Sequence, residues 1–282
     1  MESRAKTFWR YFRRNRLAVA GLFMIIIIFL IAIFAAVLSP YDPDKTDVSV
    51  KLKPPSSRYY LGTDQLGRDV FSRMLHGSRI SLTVGFIAVA ISIFIGVLVG
   101  ATAGYYGGWV DSFLMRFVDT MLCFPSFFLI LTIVALLGPD IKNIMIVIGI
   151  TSWEGTARFV RAEFLSLRER DFVQAARSLG VRDLRIIFRH ILPNALAPVF
   201  VTATLGVASA ILIEASLSFL GFGVQPPAPS WGNILTEGRT YIFDSWWLTV
   251  FPGLAILIAV LSFNLVGDGL RDALDPRLRG RR

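Results

Sequence analysis

The chain has 282 residues, of which 54% are hydrophobic and 17% are charged, with a formal net charge of +9 and a mean hydropathy of +0.61. So little polar surface excludes a soluble domain of this size and predicts an integral membrane protein. Arginines at the ends of membrane spans, where they meet anionic lipid headgroups, explain the positive charge. Membrane lipid is therefore an expected partner, and nucleic acid is not, because no basic nucleic-acid-binding module is visible.

Six apolar runs have the length of about 20 residues that a helix needs to cross the hydrocarbon core of a bilayer. The first run follows four arginines and is too long for the apolar region of a signal peptide, so we expect a permanent anchor span. The fourth run is interrupted by Lys142, Glu154 and Arg158. The six predicted spans are 17–38, 80–104, 113–137, 141–160, 196–220 and 246–266.

The distribution of lysine and arginine predicts that both termini are cytoplasmic. In that orientation 19 of the 29 basic residues lie in cytoplasmic segments and nine in outer segments. The outer loop 39–79 is nevertheless more basic than this rule expects, with seven of the nine. The predicted organisation is a cytoplasmic N-terminus, anchor span and outer loop within 1–79, a five-span core over 80–268 with a cytoplasmic loop at 158–193, and a cytoplasmic tail over 269–282.

Cysteine, histidine and lysine usage argues against an enzyme. The single cysteine, Cys123, lies in an apolar run and cannot form an intrachain disulfide. His76 and His190 fall on opposite sides of the predicted membrane, so no metal site with familiar ligand spacing can be assembled. No lysine follows a glycine-rich turn of the kind that cradles ATP phosphates. We therefore predict no catalytic residue, no metal site and no cofactor on this chain.

The most informative segment is the basic stretch from residue 158 to residue 193. Within it, residues 171–193 read DFVQAARSLGVRDLRIIFRHILP. Asp171 can cap a short helix, and Phe172, Ala175, Ala176 and Leu179 recur at the spacing of one helix face. Gly180 suits the left-handed residue that closes a helix, and Asp183 can cap a second short helix that runs to residue 191. The alternative is an amphipathic loop lying on lipid, but so small a face favours a protein groove.

The spacing within this segment resembles a known motif. Gln174, Ala175 and Ala176 are followed after three residues by Gly180, and after twelve more by Pro193. This is similar to the EAA loop of ABC-importer permeases, although Gln174 stands where that loop has Glu and His190 where it has Ile. Three further stretches resemble the C-type permease of dipeptide, oligopeptide and nickel importers: LGTDQLGRDVFSR (61–73), GVQPPAPSWGN (223–233) and GDGLRDALDPRLR (267–279).

That resemblance implies an all-α type I ABC-importer permease fold with about six spans in a bacterial or archaeal cytoplasmic membrane. It implies a homologous second permease, two ABC ATPases that bind ATP and Mg²⁺, and an extracytoplasmic solute-binding protein. Residues 172–180 would form the coupling helix, with Phe172, Gln174, Ala175, Ala176, Leu179 and Gly180 as the residues that meet an ATPase. Di- or oligopeptides are the expected solute; nickel, glutathione or another small solute remains open, as does, from another class, a self-contained secondary carrier or a membrane-bound enzyme.

Two intramembrane features remain. Glu214 lies among apolar residues of the fifth predicted span, where an ionised carboxylate is costly unless it faces a cavity or a partner. It can line the translocation pathway or form a structural hydrogen bond, and the sequence does not separate these roles. Gly96, Gly100 and Gly104 form one stripe of the second span, which favours close packing of a neighbouring helix over a hinge.

Overall fold

The computed structural model describes residues 4–274, except for the side chains of residues 4–8 and 197. Within these residues the chain forms twelve α-helices and no strand. Residues 275–282 of the predicted tail lie outside the described residues. The helices are α1 (Arg4–Arg14), α2 (Arg16–Leu38), α3 (Val70–Tyr106), α4 (Gly108–Leu122), α5 (Ser126–Leu137), α6 (Ile141–Ile150), α7 (Glu154–Arg168), α8 (Asp171–Ser178), α9 (Asp183–Arg185), α10 (Leu192–Phe219), α11 (Trp231–Gly238) and α12 (Trp247–Leu274).

Four helices in the described part of the chain are long and apolar enough to span a membrane: α2, α3, the part of α10 from Pro198 to Phe219, and α12. They contain the first and second predicted spans and, except for one or two residues at the ends, the fifth and sixth, so all four are confirmed as long apolar helices. α4 and α5 together make a fifth candidate, but they are bent by 81° relative to each other. The bend falls where Pro125 lacks the N–H that a continuous helix would need, and α5 starts directly after it.

The prediction of a single span over 141–160 was wrong. The structure has the short apolar helix α6 and the separate helix α7, with a break at residues 151–153. The Thr151 hydroxyl donates to the Val147 carbonyl at 2.6 Å, inside the last turn of α6. α7 carries two of the three charged residues that interrupted the run, Glu154 and Arg158, and its inner-face residues Ala157, Val160 and Phe164 are fully buried. By length and composition, the described residues therefore contain four helices, or five with the bent pair, that could span a membrane.

α3 is the central helix and packs against α2, α6, α7 and α10. The glycine stripe lies against α7. A Cβ atom on Gly96 would be 2.7 Å from Thr156 Cβ, one on Gly100 would be 2.4 Å from the carbonyl oxygen of Ala157, and one on Gly104 would be 2.6 Å from Phe164 Cβ. Only glycine allows this approach, so the packing interpretation is confirmed. α3 begins at Val70, and the predicted boundary at residue 79 therefore falls inside this helix.

α4 is tied to α7 by ion pairs. Arg161 donates to both carboxylate oxygens of Asp111, with Nη2 at 2.6 Å from Oδ2, and Arg158 pairs with Asp119. Hydrogen bonding to Asp111 raises the pKa of Arg161. Together with the glycine stripe, these contacts make α3, α4 and α7 one packed unit, and α7 leads directly into the segment that contains α8.

The motif at residues 61–73 holds the loop between α2 and α3 against α11. Arg68 Nε lies 2.6 Å from Asp64 Oδ2, and its Nη2 lies 2.7 Å from Glu237 Oε2 on α11. Arg73 is fully buried and places Nη2 3.4 Å from the Glu237 carboxylate. Buried charges require such partners, and the network therefore fixes the loop on the bundle.

Candidate coupling surface and buried carboxyl

α8 forms at the position predicted for the coupling helix, and its ends have clear causes. The N-cap is Arg170 rather than Asp171. Asp171 lies in the first turn, where a carboxylate is favoured by the helix dipole. Gly180 ends the segment with a φ of +72°, a conformation that side chains with a Cβ rarely adopt. Its N–H donates to the Arg177 carbonyl at 2.9 Å, and the next N–H, of Val181, donates to the Ala176 carbonyl at 3.1 Å.

The predicted helix face is divided between two environments. Phe172, Ala175 and Leu179 are exposed, with Leu179 83% exposed, and we call these three residues the coupling patch. Ala176 instead points into the protein together with Val173, which the sequence analysis did not select. Ala176 stands at the edge between the two stripes of the helix, so spacing alone could not assign it.

Gln174, the residue at the Glu position of the motif, is exposed. Its Nε2 donates to the Arg168 carbonyl at 3.2 Å, across the connection between α7 and α8. The Gln174 side chain therefore stabilises the connection that leads into α8 through a hydrogen bond within this chain.

The second short helix predicted in this segment is not a separate element. α9 passes into one π-helical turn, Ile186–Ile191, which runs directly into α10 with Pro193 in its first turn. Ile186, Ile187 and Ile191 are buried in the same hydrophobic cluster as Val173 and Ala176. α8 is thus seated on the start of a membrane helix.

Tyr105, near the end of α3, fastens α8 and α9 to the bundle. Its hydroxyl donates to Asp183 Oδ1 at 2.6 Å, and the Arg177 guanidinium lies 5.2 Å from its ring centroid. Arg168 Nη1 donates to the carbonyls of Gly104 and Tyr105 at 3.3 and 3.4 Å and so caps the end of α3. Sequence analysis missed Tyr105, because a tyrosine at the end of an apolar run is typical of any membrane interface.

Glu214 occupies a closed polar pocket. It is 1% exposed, and its Oε1 accepts hydrogen bonds from the hydroxyls of Ser218 and Ser230, each at 2.8 Å. Its Oε2 has no partner among the described residues. Ser230 is also the N-cap of α11, in a reciprocal capping box with Asn233. Glu214 therefore joins α10 to the motif 223–233 in this conformation, and a role in the translocation pathway stays a prediction.

The family described as "Binding-protein-dependent transport system inner membrane component" matches residues 92–280. A second family, the N-terminal TM domain of oligopeptide transport permease C, matches residues 3–55. Among solved structures, an inward-facing form of the MetNI methionine ABC transporter has a chain with a TM-score of 0.52 and 18% identity, covering 71% of this chain and 96% of that one. At this identity the likeness shows the fold, which is that of an ABC-importer permease.

Curated relatives align over almost the whole length. The dipeptide transport system permease DppC of Alkalihalophilus pseudofirmus is 46% identical over 271 residues, covering 96% of this chain and 89% of the relative. The di/tripeptide permease DppC of Pseudomonas aeruginosa is 46% identical over 280 residues, covering 97% and 92%. The glutathione permease GsiD of Pectobacterium atrosepticum is 42% identical over 275 residues, covering 97% and 91%. The chain thus belongs to the family of inner-membrane permease components of binding-protein-dependent transport systems.

Proposed function

We propose that this chain forms half of the translocation pathway of an ATP-driven importer for di- or oligopeptides. The observation that carries the coupling role is the coupling patch, an exposed apolar helix face whose opposite side is fixed inside the chain. Such a face is suited to a groove on a soluble protein. The names of the relatives, which include dipeptide and di/tripeptide permeases, support a peptide solute.

The proposed partners follow from this assignment. A homologous permease completes the pathway, two ABC ATPases with ATP and Mg²⁺ drive it, and an extracytoplasmic binding protein delivers the solute. Closure of the ATPases pulls on the coupling patch. Because α8 is fixed to α3 through Tyr105, and α3 is packed on α7 through the glycine stripe, the pull moves these helices together. Only interactions whose free energy differs between the inward and outward states can shift the populations of those states.

Glutathione is a second candidate solute, because one of the relatives is a glutathione permease. Glutathione is itself a short peptide, so both candidates demand recognition of amide groups. The binding protein would set most of the choice between them.

Tyr105→Phe removes the hydrogen bond to Asp183 and keeps the ring. A hydrogen bond to a charged group contributes about 1.5–3 kcal/mol, so we expect peptide uptake per ATP hydrolysed to fall roughly tenfold while the complex still assembles. Tyr106→Phe is the matched control, because no hydrogen bond of its hydroxyl is found among the described residues and it is 51% exposed. Equal ratios of peptide uptake to ATP hydrolysis in the two variants would contradict a coupling role for the Tyr105–Asp183 hydrogen bond. The measurement is uptake and phosphate release from the same proteoliposomes.

Gly180→Val tests the exit of α8. Nothing lies within 4 Å of a Cβ built on Gly180, so the strain arises only from its positive φ. We expect the variant to assemble but to hydrolyse ATP with strongly reduced transport, because the valine forces α8 out of its position. Gly155→Ala, also in open space but with an ordinary helical φ, should leave both activities unchanged. Normal transport by assembled Gly180→Val would show that the exit geometry is dispensable.

The proposed assembly is tested by gentle extraction of the tagged chain from its native membrane, followed by mass spectrometry. We expect a second permease, two kinds or copies of a P-loop ATPase, and a binding protein whose bound ligand identifies the solute. Recovery of the chain alone, under conditions that preserve other membrane complexes, would contradict the importer and favour a self-contained carrier.

A further inference from the structure

A cleft of about 220 Å³ opens between α3, α10 and the break that separates α6 from α7. It is lined by the middle of α3 and of α10, and its wall on α10 reaches Ile213, which directly precedes the buried Glu214. Five hydroxyl side chains and six apolar side chains line it together with Gly206, and the hydroxyls are those of Ser92, Ser152, Thr156, Thr202 and Ser209.

The broken helix is the first reason to assign a function to this cleft. Backbone that is not helical is tolerated at membrane depth only where it is buried in protein or lines a wet cavity. Here the carbonyl of Ser152, within the break, accepts a hydrogen bond from the Ser92 hydroxyl at 2.7 Å. The Ser152 side chain itself is exposed on the cleft. The break therefore exposes polar groups to the cleft and keeps its own backbone satisfied from α3.

The chemistry of the wall is the second reason. The hydroxyls of Thr202 and Ser209 donate to the carbonyls of Val199 and Leu205, at 2.9 and 3.2 Å, so their oxygens still have free lone pairs. The described residues that line the cleft include no ionisable side chain. A wall of this kind can accept hydrogen bonds from N–H groups but offers no fixed charge to a charged end group.

We propose that this hydroxyl cleft is a solute-contact site, in which the neutral N–H groups of a short peptide donate hydrogen bonds to the hydroxyl oxygens of Ser152, Thr202 and Ser209 during passage. The inference rests on the proposed importer function and identifies the wall that this chain contributes. Because hydroxyls bind the amide groups that all peptides share, the cleft would accept peptides with different side chains. It would leave selection to the binding protein.

Water access is the first test, and it needs no solute. In a Cys123→Ala background of the assembled complex, Ser209→Cys should react with a water-soluble methanethiosulfonate reagent at least tenfold faster than Phe94→Cys. Phe94, which is 66% exposed in the middle of α3 and does not line the cleft, is the control. Equal, slow labelling of both thiols would mean that lipid fills the cleft and would overturn the proposal, whether or not the chain is an importer.

Blocking the cleft is the second test. Ser209→Phe should reduce uptake of alanyl-alanine by more than tenfold, with ATPase subunits still bound. Leu212→Phe, which adds bulk to the same helix outside the cleft, should transport normally. Normal uptake by Ser209→Phe in a complex whose wild type transports would refute the cleft. Absence of ATP-driven uptake by the wild type would instead count against the proposed function.

Discussion

Leu179→Asp is expected to abolish the binding of ATPase subunits to this chain. Leu179 is 83% exposed and contributes nothing to the hydrophobic clusters of the described residues, so the chain should still fold. In a docked groove, however, the new carboxylate would lose its hydration without a partner. Truncation of central apolar contacts and burial of unpaired charge each cost several kcal/mol, and we expect the affinity to fall by more than a hundredfold.

The measurement is recovery of ATPase subunits with the tagged, detergent-solubilised chain, together with ATP-driven uptake. Val48→Asp is the matched control, because Val48 is 75% exposed and lies in the loop between α2 and α3, far from α8 in the chain. It introduces the same charge and should leave ATPase binding unchanged. Recovery of ATPase subunits with Leu179→Asp at the wild-type ratio would show that the coupling patch does not bind them.

Gly100→Ala should have the largest effect on stability. Its new methyl group would lie 2.4 Å from the Ala157 carbonyl oxygen and 2.8 Å from Val160 Cβ. The first of these atoms is backbone, so the contact can be relieved only by separating α3 from α7. Overpacking of this kind costs about 1–3 kcal/mol, and the displaced α7 should also weaken coupling.

Gly253→Ala is the control for this prediction, because the nearest atom to its new methyl group, Leu235 Cδ1, is at an ordinary 3.8 Å. Both changes add the same helix-favouring residue, and they differ only in the space available. Thermal unfolding of the two solubilised variants should show a lower midpoint for Gly100→Ala alone. Identical midpoints would show that the α3–α7 contact is loose.

The long apolar helices and the position of α8 could be predicted from sequence because each depends on a local property. Apolar length identified α2, α3, α10 and α12, and the glycine spacing identified the face of α3 that packs on α7. Motif spacing placed α8 within one residue of its observed start.

What sequence did not predict depends on contacts between distant segments. Whether Ala176 faces inward is decided by the neighbouring Val173 and by the isoleucines of the π-helical turn beneath α8. Tyr105 acquires its role only when folding brings Asp183 to its hydroxyl. The break at residues 151–153 lies inside an apolar run, and it is stabilised by Ser92 from another helix. Hydropathy averages over such a break and cannot show it.

The importer account is tested most directly by transport into proteoliposomes that contain this chain with its co-purified partners. We expect uptake of alanyl-alanine to require the binding protein together with ATP and Mg²⁺ on the ATPase side, and to persist when proton and sodium gradients are collapsed. Uptake that the chain catalyses alone, driven by an ion gradient and indifferent to ATP, would contradict the account.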